Sequence, residues 1–154
     1  MSSYSDDFSP ETRSVLIVEQ EPAVLVILSS LFRRSGFRTL LARSAAEAVE
    51  IASRPYVPVD SVLTDVEVMG EPGPQLVEGL QRTRPDVPVL FMSAVTDSGA
   101  VRINLMRQLG PKYFVRAADT SLASTSLANT SLANTSLVDA VRSSMLTAGF
   151  QSCV

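Results

Sequence analysis

Short apolar runs alternate with longer helical patterns along the chain. The apolar runs predict five strands, at residues 14–19, 37–42, 60–65, 87–94 and 112–116. Each strand is followed by a predicted helix, at residues 22–35, 46–53, within 71–85, at 98–110 and at 137–146. Five such alternations predict an α/β fold with a parallel sheet, right-handed crossovers and helices on both faces.

Local signals support the bounds of the first two helices. Pro22 suits a first helical turn, and Gly36 suits the stop of the same helix. Ser44 and Glu47 have the spacing of a capping box in front of the second helix. These positions predict where the chain turns back towards the sheet.

The composition of the chain disfavours or excludes several classes of function. A chain of 154 residues with 45% apolar residues is expected to form one domain around a single core. Its net charge of -3 gives no reason to expect nucleic-acid or membrane partners, and its longest apolar stretch is far shorter than the roughly 18 residues of a membrane span. The lack of histidine excludes His-based catalysis and His metal sites, and the single cysteine, Cys153, fits a reducing, cytoplasmic location. Residues 1–13 are expected to be a disordered tail, and residues 148–154 a C-terminal tail.

Polar residues that follow the predicted strands form the candidate site. In a parallel sheet the ligand site lies beyond the carboxyl ends of the strands. The residues at those ends are Glu19, Gln20, Glu21, Asp65, Ser93, Ala94 and Arg116. Carboxylates without nitrogen or sulfur ligands favour Mg²⁺, and an aspartate beside Mg²⁺ can accept a phosphoryl group. No glycine-rich turn follows the first strand, so a dinucleotide site or a P-loop is not supported.

In order along the chain, these residues resemble those of the receiver domains of two-component response regulators, over about residues 14–147. "VEQEP" matches the acidic pair after strand one, "VLTD" places the phosphoacceptor at Asp65, and "FMSA" matches the switch pair Ser93 and Ala94. Tyr113 matches the aromatic switch residue, and Gly73 the glycine after the phosphoacceptor loop. The resemblance implies a flavodoxin-like (βα)5 three-layer sandwich with strand order 2-1-3-4-5.

The sequence differs from the usual receiver pattern at several positions. Gln20 occupies the place of the second acid, which is usually the direct metal ligand, and its amide oxygen carries no charge. Arg116 and Ala117 replace a lysine and a proline, and arginine is longer and planar. The implied metal ligands are therefore Glu19, Gln20, Asp65 and the backbone carbonyl of Glu67, with Mg²⁺ held weakly.

Two side chains near the first strand have alternative roles. Glu21 either adds a third polar group to the metal turn or serves only as an acid at the start of a helix. Glu19 either reaches a metal or forms a salt bridge with Arg116. The residue types alone leave both choices open.

A five-residue repeat, "TSLASTSLANTSLANTSLVDA", precedes the last helix. Residues 120–134 look like an insertion, because their removal leaves an ordinary receiver ending. A step of five residues turns a helix by about 500°, so the leucines form no single stripe. A mobile loop or a partly helical lead-in is expected here. In receivers this region belongs to the surface that reports phosphorylation, so the insertion is expected to alter partner or dimer contacts.

The resemblance implies a single-domain receiver in a phosphorelay. Asp65 would take a phosphoryl group from a histidine kinase or phosphotransfer protein, Ser93 and Arg116 would contact it, and Tyr113 would couple to it. The output would be binding to an unknown downstream protein, with a homodimer possible, and no dedicated catalytic activity is expected. The alternative is a pseudo-receiver, an interaction module that works without phosphorylation, which Gln20 and Arg116 favour. A small-molecule binder of flavodoxin type is a third option.

Overall fold

The computed structural model describes residues 12–65, 67–68, 71–93, 114–116 and 137–146, with side chains at 12–64, 76–92 and 137–146. The strands are β1 Ser14–Val18, β2 Arg38–Ala42, β3 Ser61–Asp65, β4 Glu67–Val68, β5 Glu71–Pro72, β6 Val89–Ser93 and β7 Phe114–Arg116. The helices are α1 Pro22–Arg34, α2 Ala45–Ser53, α3 Gly73–Thr83 and α4, residues 137–146. The predicted helix at 98–110, the predicted insertion at 120–134, residues 1–11 of the predicted N-terminal tail and the predicted tail at 148–154 lie outside the described residues.

Five of the strands form one parallel sheet in the order β2-β1-β3-β6-β7. These are the five predicted strands, so the predicted order 2-1-3-4-5 and the flavodoxin-like fold class are confirmed. The loop after β3 differs from the prediction, because β4 and β5 form a short antiparallel pair there. Their pairing of two residues each is too short to leave a hydrophobic pattern in the sequence.

Two apolar layers enclose the sheet. On one face, α2 and α3 cover alternate strand residues; this cluster includes Leu16, Val62, Phe91, Ala48 and Leu80. On the other face, α1 and α4 cover the intervening residues; this cluster includes Ile17, Leu63, Leu28, Phe32 and Val141. Since side chains alternate between the two faces of a strand, a strand buried on both faces needs apolar residues at every position. β1 is buried at every position, and its residues Val15–Val18 are all apolar.

The end of α1 is fixed by a Schellman motif. The Gly36 N–H donates to the carbonyl of Arg33 (3.1 Å), and the Phe37 N–H donates to the carbonyl of Phe32 (3.0 Å). Gly36 has a φ of 90°, a conformation that favours glycine. The rings of Phe32 and Phe37 meet edge to face at 5.6 Å, which adds the apolar contact typical of this motif. The predicted stop at Gly36 is thus confirmed.

The predicted cap of α2 is present with one change. Ser44 Oγ accepts the Glu47 N–H (3.1 Å), as a capping box requires. Glu47 Oε2 accepts the N–H of Arg43 (2.8 Å), which is one residue before the cap. The cap therefore also ties down the end of the β2–α2 connection.

Arg84, just after α3, holds the other end of α2. Its guanidinium donates to the carbonyls of Ala52 (2.9 Å), Arg54 (2.8 Å) and Val57 (2.7 Å). The last carbonyls of a helix have no intrahelical hydrogen-bond donor, and Arg84 supplies such a donor from a distant part of the sequence. It thereby fixes the connection that leads into β3.

Hydroxyl groups lie buried where β1 and β3 begin. Ser61 Oγ lies 3.3 Å from Ser144 Oγ on α4 and forms a hydrogen bond with it. Ser14 Oγ is fully buried and has no partner among the described residues. The two serines thus differ in whether burial of the hydroxyl is compensated.

Candidate functional site

The ends of β1 and β3 bring two acidic residues level with each other. Val18 pairs with Thr64 across these neighbouring parallel strands. Glu19 and Asp65 follow directly, so they occupy the next position at the same edge of the sheet. The placement of Asp65 concerns its backbone alone, since its side chain lies outside the described set.

The next two strands extend this edge. Asp65 pairs with Met92, so Ser93 follows one residue further along β6. Ser93 in turn pairs with Arg116 on β7. The backbone therefore sets Glu19, Asp65, Ser93 and Arg116 in that order across four adjacent strand ends. Their roles in a site stay predictions.

Glu19 is the member of this row whose side chain the structure describes. It is buried, with 7% of its surface exposed, and its Oε1 accepts the backbone N–H of Glu21 (3.1 Å). Its own N–H donates to the carbonyl of Ala42 (3.0 Å) at the end of β2. One carboxylate oxygen is therefore bound within the turn, and the second keeps its capacity to accept a donor or bind a cation.

Glu21 is the N-cap residue of α1. Its carbonyl accepts the Leu25 N–H (3.0 Å), and its exposed side chain makes no capping hydrogen bond. This position agrees with an acid at a helix N-terminus, where the macrodipole favours negative charge. Gln20, between the two glutamates, is exposed. The helix start at Pro22 is confirmed.

Several predicted residues have no described side chain. Glu67 belongs to β4, which places its backbone two residues after Asp65. Ala94 and Tyr113 lie outside the described residues altogether. The proposed contact between Glu19 and Arg116 is untested for the same reason.

The predicted metal ligands share one chemical property: every donor atom is oxygen. Carboxylate, amide and carbonyl oxygens suit a hard cation such as Mg²⁺. Within the part of the chain that the structure describes with side chains, no three acidic, histidine or cysteine residues gather into a metal site. The side chains of Asp65 and Glu67 lie outside that part of the chain, so the predicted cation site stays a prediction.

The hydrogen bond from Glu21 to Glu19 was not anticipated from the sequence. The available signal is the spacing, because the carboxylate of an acid two residues before an N-cap residue can accept a hydrogen bond from the free N–H of that N-cap residue. This bond makes Glu19 part of the α1 start as well as a residue of the strand-end row.

None of the helices within the described residues has the length and apolar character that crossing a bilayer requires.

Comparisons with known proteins agree with this geometry. Residues 15–116 match the family model of the response regulator receiver domain. The transcriptional regulatory protein YbdJ of Bacillus subtilis, itself described as uncharacterized, is 29% identical over 105 residues, which are 68% of this chain and 44% of YbdJ. The sensor kinase CckA of Brucella abortus is 33% identical over 89 residues, 58% of this chain and 9% of CckA. The chain thus spans less than half the length of these curated relatives.

Solved structures show the same fold. A response regulator receiver domain protein from Clostridium thermocellum superposes with a TM-score of 0.70 at 17% identity, covering 90% of this chain and 98% of that one. A receiver protein from Sinorhizobium medicae gives a TM-score of 0.67 at 19% identity, covering 91% of this chain and 99% of that one.

Proposed function

Because the chain belongs to the response regulator receiver domain family, we propose that it accepts a phosphoryl group on Asp65 and signals through protein–protein contacts. Receiver domains are signalling domains of two-component systems, where they interact with histidine kinases and downstream proteins. The observation that supports Asp65 is its place at the end of β3, the middle strand of the sheet. Strand ends with Glu19 on one side and Ser93 on the other flank it.

The proposed chemistry is a phosphoryl transfer between two side chains. A phosphohistidine of a kinase or phosphotransfer protein would donate the group. An Asp65 carboxylate oxygen would form the new P–O bond as the P–N bond breaks, and the imidazole would leave with the bonding electrons. Ser93 would donate a hydrogen bond to a phosphoryl oxygen, and Arg116 would pair with its charge. The receiver would speed this transfer mainly by positioning the phosphoryl group and by offsetting the charge of its oxygens.

A cation is part of this proposal. Receiver domains in general bind Mg²⁺ in an acidic pocket, and Glu19, Gln20, Asp65 and the Glu67 carbonyl supply only oxygen ligands here. When bound, the cation would offset the charge of the phosphoryl oxygens. Gln20 removes one negative charge compared with an acid at that position, and calcium and magnesium sites weaken as ligand charge falls. We therefore expect weaker Mg²⁺ binding than in receivers with two acids in this turn.

The test is the intact mass of the protein after incubation with acetyl phosphate, with and without Mg²⁺. We expect a gain of one phosphoryl group that depends on Mg²⁺ and is absent in Asp65→Asn. Asp60→Asn is the matched control, because Asp60 lies at the opposite end of β3 and pairs with Arg13. This variant should gain the group as the wild type does.

The Gln20→Asp variant tells whether the chain has a weak Mg²⁺ site or no Mg²⁺ site. If the site is only short of a charge, this variant should bind Mg²⁺ more tightly and need less of it for phosphorylation. If neither the wild type nor Gln20→Asp gains a phosphoryl group under any condition, the proposal is wrong. The chain would then be a pseudo-receiver that binds partners without phosphorylation.

A further inference from the structure

Helix α1 is apolar on its exposed side as well as on the side that packs against the sheet. The packed side consists of the buried residues Leu25, Leu28, Ser29 and Phe32. We name the opposite side the α1 outer face and define it by four exposed residues: Ala23, Val26, Ile27 and Ser30. A helix that is apolar on both sides is normally enclosed by other protein surfaces.

Two large apolar side chains lie next to each other on the α1 outer face. Val26 is 66% exposed and Ile27 is 46% exposed. Single apolar side chains are common on protein surfaces, whereas adjoining ones indicate a contact surface. From residue 22 to residue 32, α1 contains no charged residue. The other described helices carry charged residues on their exposed sides, namely Glu47, Glu50, Glu78, Arg82, Asp139 and Arg142.

The order of small and large residues on this face is symmetric about the point between residues 26 and 27. The small Ala23 and Ser30 lie on either side of the larger Val26 and Ile27. In two antiparallel α1 helices related by a two-fold axis at that point, Val26 lies level with Ile27 of the second copy. Ala23 lies level with Ser30 in the same way, and small side chains let helices approach closely. The face thus fits itself, as a two-fold interface requires.

The charges at the two ends of α1 favour the same orientation. Glu21 is exposed where the helix begins, and Arg34 is exposed in its last turn. An antiparallel pair brings the Glu21 end of each copy to the Arg34 end of the other, whereas a parallel pair brings like charges together. Between these ends the face is uncharged, so nothing in it repels an identical face.

We propose that the α1 outer face binds a second copy of this chain, with the two α1 helices antiparallel across a two-fold axis. The contact spans about three helical turns in each copy, which is small for a protein–protein interface. The dimer is therefore weak and reversible, and its population rises with protein concentration.

Sedimentation equilibrium of the full chain, from micromolar to millimolar concentration, measures this association. Val26→Gln with Ile27→Gln keeps good helix formers in α1 but removes four apolar side chains from each dimer. We expect its dissociation constant to rise by about tenfold or more. The matched control is Tyr56→Gln with Leu146→Gln, which removes the two other exposed large apolar side chains of the described residues. This control should associate as the wild type does, and thermal unfolding checks that both double variants fold.

A charge exchange tests the antiparallel arrangement. Glu21→Arg alone and Arg34→Glu alone should each weaken association by about threefold, because like charges then meet at both ends of the dimer. An equimolar mixture of the two variants should associate as tightly as the wild type. In the mixed dimer each reversed charge meets an opposite charge of the other copy.

Three results would overturn the proposal. The wild type would stay monomeric up to millimolar concentration, or the two glutamine double variants would weaken association equally, which would indicate general stickiness of apolar side chains. A mixture of the charge variants that associates no better than either variant alone would exclude the antiparallel pair. No phosphoryl donor is used, so the outcome is independent of the role of Asp65.

Discussion

Replacing Arg84 with methionine tests how the end of α2 is held. Methionine keeps most of the apolar stem but removes the three hydrogen bonds to the carbonyls of Ala52, Arg54 and Val57. The bonds to Ala52 and Val57 are partly buried, and we assign about 1 kcal/mol to each of them. The bond to Arg54 is exposed and is given about 0.5 kcal/mol. The expected loss of unfolding free energy is therefore about 2.5 kcal/mol.

The assay is urea unfolding followed by far-UV circular dichroism, with thermal unfolding in parallel. For a chain of this size, the loss corresponds to a Tm lower by about 5 to 10 °C. Arg84→Lys keeps the charge and one donor group, so it should fall between the wild type and Arg84→Met.

Arg82→Met is the matched control, two residues away on the same helix end. Its guanidinium pairs with Glu78 one turn earlier, and both side chains are well exposed. Such a pair contributes at most about 0.5 kcal/mol. If Arg84→Met costs no more than Arg82→Met, water satisfies the α2 carbonyls equally well, and the reasoning from the three bonds is refuted.

Four further substitutions, one of them also combined with a second change, test the packing of the sheet and its helices by urea unfolding. Ser14→Ala removes a buried hydroxyl that has no described partner and should stabilise the fold by about 1 kcal/mol, while Ser61→Ala breaks a hydrogen bond to α4 and should cost about as much. The opposite result for either serine would contradict the hydrogen-bond assignment. Gly79→Ala should destabilise by about 1 kcal/mol, because a Cβ there would lie 2.9 Å from Val49 Cγ2. Adding Val49→Ala should relieve the clash, and purely additive effects would exclude it. Leu137→Ala should cost about 3 kcal/mol, because this leucine is 1% exposed in the α4 layer. A loss below about 1 kcal/mol would mean that α4 contributes little to the core.

The sequence predicts the sheet well because its strands are buried on both faces. The run at 14–19 contains four consecutive apolar residues, Val15–Val18, and this pattern is visible locally in the sequence. Helix ends were equally readable where a single residue type determines them, as with Pro22, Ser44 and Gly36. The wider topology then follows from the alternation of strands and helices, which allows few arrangements.

Contacts between distant parts of the chain could not be predicted in this way. Arg84 reads in sequence as one more polar residue after a helix, and its three acceptors lie about 30 residues earlier. The β4–β5 pair depends on how the loop after β3 folds back. Glu19 shows the same limit in the candidate site: its place at a strand end was predictable, but its bond to the Glu21 N–H depends on the bend of the turn. For Asp65 and Ser93 the backbone positions agree with expectation, and the side-chain roles remain predictions.

Among the described residues, helix α4 is held in place by contacts of its own side chains. Leu137, Val138, Val141 and Met145 fill the layer beside α1, and Arg142 fastens the helix to the turn before β2. None of these contacts uses the residues between β7 and α4. The length of that connection can therefore vary at small cost, since doubling a loop adds only about 0.6 kcal/mol of closure entropy. For a protein engineer, this makes the junction ahead of Leu137 a position to test: an epitope or a ligand-binding module inserted there is expected to leave the described core contacts of α4 unchanged.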